Sequence, residues 1–331
     1  MPLWSNSVEF ATIGRMNHHD ARPILLLGVQ GQVGWELRRS LRPLGRVVCT
    51  ARHAAEGVLP LDLADADRLR AVVREVGPSV IVNAAAYALV DQAEREPELC
   101  AAVNAVAPGI LQEEANRVGA AVVHYSTDYV FDGSGSRPWT ESDPVAPLGV
   151  YGSTKAAGEQ AVLAAGGASL VLRTSWVYGI HGVNFVKKIL KLAEEREKLR
   201  IVADQIGAPT SARYLADLTA ALLAQTRGRA QETFRERGGL VHATCRGATS
   251  WHGFTLAIVE AARRAGMKLA ATTIEPIASS EFPTPAKRPL NSRLDGSRLQ
   301  REFGLVAPTW EEALADTLPT LLRYEFGVTA G

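Results

Sequence analysis

The 331-residue chain has only three cysteines, Cys49, Cys100 and Cys245, spaced too widely for a disulfide framework or a zinc site. Buried free thiols in a reducing compartment are the expectation. No apolar run approaches the ~20 residues needed to span a bilayer. Met1 to Arg22 also lacks the continuous apolar stretch of a secretory signal. Neither sign of charge prevails, since 36 basic and 35 acidic residues leave +1, so nothing asks for nucleic acid or an anionic membrane as partner. Internal repeats, low-complexity tracts and coiled-coil heptads are missing as well. A cytoplasmic globular protein of roughly two domains is expected. Residues 1–22 are read as a flexible N-terminal extension. Its His18-His19-Asp20 is a solvated terminus and not a metal site.

What is present begins with an apolar run, Pro23 to Leu27, leading into Gly28-Val29-Gln30-Gly31-Gln32-Val33-Gly34. Trp35, Leu37, Leu41 and Leu44 then recur at helical spacing. Strand, glycine turn and helix in that order let the backbone approach a pyrophosphate at the helix N-terminus. The next strand, Arg46 to Thr50, ends in Thr50-Ala51-Arg52, where an NAD site would carry an acid. Arg52 can pair with a 2′-phosphate that an aspartate would repel, so NADPH is expected, with NADH as a further donor. Leu69, Val72, Val73 and Val76 mark a helix packed on a sheet. Val80 to Val82 is another buried strand, and Ala84, Ala85 and Ala86 at its end leave room for a flat cofactor. A long helix through Asn104 to Val118 is expected to break near Pro108-Gly109.

The central stretch runs from Ser126 to Lys155. Ser126-Thr127-Asp128-Tyr129 follows the buried strand Ala120 to His124, where open parallel sheets place their ligand chemistry. Tyr151 and Lys155 stand four apart, on one face of a helix that Gly166-Gly167 ends. A neighbouring ammonium favours the phenolate and brings the tyrosine pKa toward the working range. Thr127, Tyr151 and Lys155 together suit the holding and protonation of a carbonyl oxygen. Leu170 to Arg173 is a further strand before Thr174-Ser175-Trp176. Strand and helix alternate six times, which predicts an α/β, doubly wound parallel (Rossmann) sheet over residues 23–180, with a return near 211–244.

Residues 181–210 and 245–331 are expected to form a smaller C-terminal α/β substrate lid. The charged segment Arg227 to Gly239 reads as an exposed loop. Two proline-pinned polar turns, Asp204 to Thr210 and Arg288 to Leu294, present Gln205, Arg288 and Asn291 as donors for sugar hydroxyls or phosphates.

These motifs resemble the dTDP-4-dehydrorhamnose reductase family, in the extended branch of the short-chain dehydrogenases/reductases: Gly-x-x-Gly-Gln-x-Gly at 28–34, Asn83 to Tyr87, Ser126 to Gly133, Tyr151 to Lys155 and the two C-terminal turns. The resemblance covers nearly everything from Pro23 onward. It implies that Tyr151 donates the proton, that Lys155 lowers its pKa and holds the nicotinamide ribose, and that Thr127, with Asp128 beside it, binds the C4 oxygen of a dTDP-linked 4-keto-6-deoxy sugar. Gly28, Gly31, Gln32, Val33 and Gly34 would hold the pyrophosphate, Asp62 and Leu63 would flank the adenine, and Ala84 to Ala86 would border the cofactor. Val90, Tyr129 and Trp176 match positions lining the sugar pocket. Ala88 departs from the family's threonine. Family members that dimerise through Mg²⁺ do so with acids that have no match here, so no metal is predicted, and a homodimer stays open. Two alternatives stand beside the reductase. One is an extended-branch epimerase or dehydratase, although a dehydratase would want Asp-Glu where this chain has Asp128-Tyr129. The other is a non-catalytic cofactor-binding regulatory subunit.

Overall fold

The computed structural model describes residues 22–328. The expected extension, apart from Arg22, lies outside them. Arg22 itself belongs to the fold, because its guanidinium donates to the carbonyls of Gly77, Pro78, Val118 and Gly119.

The first half alternates as β1 (Ile24–Leu27), α1 (Gln32–Ser40), β2 (Val47–Ala51), β3 (Val58–Pro60), α2 (Ala66–Val76) and β4 (Val80–Asn83). Short helices α3 (Val90–Ala93) and α4 (Pro97–Ala101) precede α5 (Ala107–Val118), β5 (Ala121–Thr127), α6 (Val150–Ala164) and β6 (Ser169–Thr174). A seventh strand, Gly239–His242, pairs with β6. The strands are ordered 239–242, β6, β5, β4, β1, β2, β3, and every neighbouring pair is parallel. The order reverses between β1 and β4, where Leu27 sits beside Asn83, and open α/β sheets bind ligands in the crevice outside such a reversal.

Helix α2 shows how local sequence sets an element. The Asp65 carboxylate accepts from the Arg68 N–H at 3.0 Å as N-cap, and Gly77 ends the helix in the left-handed region. Leu69, Val72, Val73 and Val76 are all buried, in a core on one side of the sheet with Leu25, Leu27 and Ile81. A second core covers the other side, through Leu26, Leu37, Tyr125 and Leu215. A third, separate core joins the helices 185–195, 251–264 and 310–326 through Ile189, Phe254 and Leu321.

Two expectations change. The break expected at Pro108-Gly109 is a π-helical turn just before it, Ala102–Val106, with Pro108 in the first turn of α5. Pro108 has no N–H to give the Asn104 carbonyl, so the ladder widens there. The expected loop 227–239 contains a helix, Ala230–Arg237, whose Ala230 and Phe234 are buried on one face. Those two apolar residues at i, i+4 outweigh a charged surround.

Candidate active site

Helix α6 carries Tyr151 and Lys155, and its seating fixes both. Gly149 caps it without a side chain. The cap comes from α3 and its exit, where Glu94 Oε1 accepts from the Val150 N–H at 2.8 Å. Glycine at 152 and 158 permits close approach: a Cβ on Gly152 would collide with the Tyr129 carbonyl oxygen, and one on Gly158 with the Asn104 carbonyl oxygen. The Asn104 amide in turn brackets Tyr87, accepting from its N–H at 2.8 Å and donating to its carbonyl at 3.0 Å.

Thr127 ends β5 and is buried. Its hydroxyl donates to Asp128 Oδ1 at 3.0 Å and accepts from the Tyr129 N–H at 3.2 Å, and Tyr151 lies beside it. Asp128 is 2% exposed and lies beside Ser292. Its Oδ2 is without a partner among the described residues. Burial pushes its pKa up to about 6, against the opposing pull of Ser292 and Thr127. Burial likewise pushes Tyr151 up to about 12 and Lys155 down to about 8. The expectation that Lys155 draws the Tyr151 pKa downward is therefore corrected. The Lys155 ammonium donates to the Tyr125 carbonyl at 2.6 Å and lies 3.3 Å from His124 Nε2, while desolvation dominates at the tyrosine.

A cleft beside this cluster is lined by Val90, Tyr129, Leu148, Tyr151, Lys287 and Pro289. Tyr129 meets Tyr151 edge to face at 5.5 Å. Arg288 lies at this side, 6.0 Å over the Tyr129 ring, but its guanidinium is paired with Asp91 at 2.9 Å. The expected Gln205 and Asn291 are engaged within the protein. Gln205 donates to Ser279 and accepts from Trp251. The Asn291 amide donates to the Arg137 carbonyl at 2.8 Å and accepts from Arg293. Both therefore brace loops of the protein against one another, because amides withdrawn from water take the nearest complementary partners. Trp176 is held at φ 49° and stacks on Trp251 at 3.5 Å, with Gly207 against its ring.

The glycine turn fits a dinucleotide. Gly28 takes φ 82°, and a Cβ there would come within 2.7 Å of the Ala85 backbone, so the turn and Ala84 to Ala86 meet. Helix α1 starts at Gly31 with neither a capping side chain nor an acid in its first turn. Its N–H groups are thus left for an anion. Gln32 Oε1 is buried and without a partner among the described residues. Val33 follows half-buried and Gly34 is packed on the Gly28 carbonyl. Arg52 is exposed just past β2. Asp62, exposed, and Leu63, buried, follow β3, with Asp62 Oδ1 accepting from the Ala64 N–H. These groups suit a pyrophosphate and a 2′-phosphate-bearing ribose.

Glu94, Asn104, Ser292, Asp91 and His124 went unnoticed in the sequence. The Glu94 signal was faint: an acid between two short helices, with no cap residue before α6. Among the described residues, no group of three His, Cys, Asp or Glu side chains gathers as a metal site, and no helix is long and apolar enough to cross a membrane.

A sequence profile described as the RmlD substrate binding domain matches residues 22–323. The chain is 47% identical over 302 residues to a dTDP-4-dehydrorhamnose reductase from Burkholderia thailandensis, covering 90% of this chain and 99% of that one. It is 45% identical to the Shigella flexneri protein of that name, over 87% and 94% of the two chains. Among solved structures, a dTDP-4-dehydrorhamnose reductase from Clostridium acetobutylicum superimposes with a TM-score of 0.80 at 33% identity, over 90% and 99% of the chains. One from Bacillus anthracis in complex with NADP gives 0.76 at 32% identity, over 90% and 98%.

Proposed function

The chain belongs to the dTDP-4-dehydrorhamnose reductase family, and from that premise we propose that it reduces the C4 ketone of dTDP-4-dehydro-6-deoxy-L-mannose to dTDP-L-rhamnose with NADPH, the last step of dTDP-rhamnose biosynthesis. The observation that carries this reading is the junction of Thr127, Asp128 and Tyr151 at the end of β5, beside the cleft that Tyr129 and Val90 line.

NADPH, when bound, supplies the hydride for the ketone carbon. Thr127 and Tyr151 hold the ketone oxygen, and the Tyr151 hydroxyl gives it a proton as negative charge develops. A phenol that ordinarily keeps its proton is suited to the donor role, and burial holds Tyr151 protonated at neutral pH. Lys155 orients the ribose, and the N-terminus of α1 holds the pyrophosphate. Arg52 reads the 2′-phosphate, so Arg52→Ala should raise KM for NADPH about tenfold and leave NADH, the alternative donor, unchanged. Equal losses with both would remove Arg52 from that role. Residues 181–210 and 245–331 act as the substrate lid, in which Arg288 lies within reach of the nucleotide sugar. We assign the enzyme to the cytoplasm, which cell fractionation tests, and size-exclusion chromatography tests for a homodimer.

The direct assay is NADPH oxidation on dTDP-4-keto-6-deoxy sugar, with and without a 3,5-epimerase. Turnover should require the epimerase. Equal turnover on the unepimerised sugar would overturn the proposed stereochemistry, and none on either would overturn the reaction.

A further inference from the structure

Buried beneath the site is a chain of polar side chains that the reaction as described does not use. Asn83 ends β4, His124 lies on β5, and both are 1% exposed. Asn83 Nδ2 lies 3.1 Å from His124 Nδ1, and His124 Nε2 lies 3.3 Å from Lys155 Nζ. Asn83 cannot be turned over at no cost, since its Oδ1 accepts from the Ala85 N–H at 3.2 Å. Its amide nitrogen therefore faces the ring and donates to Nδ1. A neutral imidazole has one N–H and one lone pair, so with Nδ1 accepting, the proton sits on Nε2 and points at Nζ. Burial, together with the Lys155 charge, holds the His124 pKa well below its ordinary value, so the ring stays neutral. An ammonium has no lone pair to receive that N–H, whereas the neutral amine has one and still donates to the Tyr125 carbonyl.

The remaining charged and titratable neighbours do not offset this. Glu159, on the same helix, favours the ammonium but is closed by both arms of Arg173 at 2.8 and 2.6 Å. Cys100, on α4, would favour it as a thiolate, but burial raises its pKa and keeps it a thiol. Tyr151 lines the cleft, and Asp128 is bonded to Thr127.

We propose that His124 is a positioning residue whose tautomer, fixed by Asn83, disfavours the ammonium of Lys155 and so sets the pH at which the lysine loses its proton. This rests on the reductase reading for the role of Lys155. It also ties that lysine to the cofactor turn, because the Ala85 backbone that fixes Asn83 is the one packed on Gly28.

Two measurements test it. Nitrogen-15 NMR of histidine-labelled protein, with the His124 signal assigned by its loss in His124→Leu, reads the tautomer without any turnover. Nε2–H is expected, and Nδ1–H would overturn the proposal whatever the substrate proves to be. The pH profile of kcat/KM is the second measurement. In both His124→Leu and Asn83→Ala the alkaline limb should move upward, so that at pH about 9 each variant retains, relative to its own plateau, roughly threefold more activity than the wild type. Asn83→Ala keeps the ring and serves if His124→Leu fails to fold. An unmoved limb with a uniform loss at all pH values would reduce both residues to packing, and a downward move would make the ring an acceptor; either result overturns the proposal. A wild type that turns over no dTDP-4-keto sugar would instead strike the reductase reading and leave the tautomer measurement to decide.

Discussion

At Tyr151 the chemistry rests on one hydroxyl. Tyr151→Phe keeps the ring and its edge contact with Tyr129 and removes only the hydroxyl. A general acid contributes typically ~10²–10⁴-fold, so kcat should fall by about that factor, with NADPH affinity, measured by fluorescence titration, nearly unchanged. Near-normal turnover at saturating substrate would take Tyr151 out of the reaction. Asp128 offers a second test at this scale. Its folded pKa of about 6 lies above the ordinary aspartate value of 3.8, so the native state binds the extra proton between those two pH values. Stability from this group is therefore complete below about pH 4 and is lost as pH rises through 6, by about 3 kcal/mol. Asp128→Asn has no such loss. Thermal melts at pH 4.5 and 7.5 should show the variant gaining on the wild type at the higher pH; a constant difference would mean the carboxylate is not desolvated.

Among the elements, α6 depends on a cap that another part of the chain supplies. Glu94→Ala leaves the Val150 N–H without its partner, and a lost N-cap costs about 1 kcal/mol. Because Tyr151 is the next residue, kcat should fall several-fold as well, while the NADPH dissociation constant holds; an unaltered melt and unaltered kcat would show the cap to be idle. This dependence also marks the limit of what the sequence discloses. The strand, glycine turn and helix at 24–40 and the stripe on α2 are legible because their signals are local: a period, a cap, a glycine. So is the pairing of Tyr151 with Lys155 on one helix face. Glu94, Asn104 and Ser292 reach their partners across long separations, and no local pattern carries that. His124 sits in an apolar strand run, where a buried polar residue breaks no period. Gln205 and Asn291 are legible as special in their turns, yet which partner such an amide takes depends on loops such as 134–137 and 279–281. Phe234 was hidden by its charged neighbours.

Taken whole, the molecule sets a dinucleotide-type sheet beside a separately cored C-terminal region, with the cleft bordered by both Tyr151 and the 286–289 loop. That arrangement suits a substrate with two parts, one reacting at Tyr151 and one held away from it. Binding energy from the remote dTDP group can then position the ketone. A free 4-keto-6-deoxy sugar should be poorer than its dTDP conjugate by orders of magnitude in kcat/KM, and comparable values would remove the nucleotide from recognition.

The most direct measurement is stoichiometric. The enzyme is incubated with NADPH and the epimerised dTDP-4-keto sugar, the oxidised cofactor is counted, and the sugar product is identified by NMR. Net reduction at C4, with one NADPH consumed per dTDP-L-rhamnose formed, is the predicted result. A rearranged or dehydrated sugar with no net cofactor oxidation would contradict it and identify an epimerase or dehydratase instead.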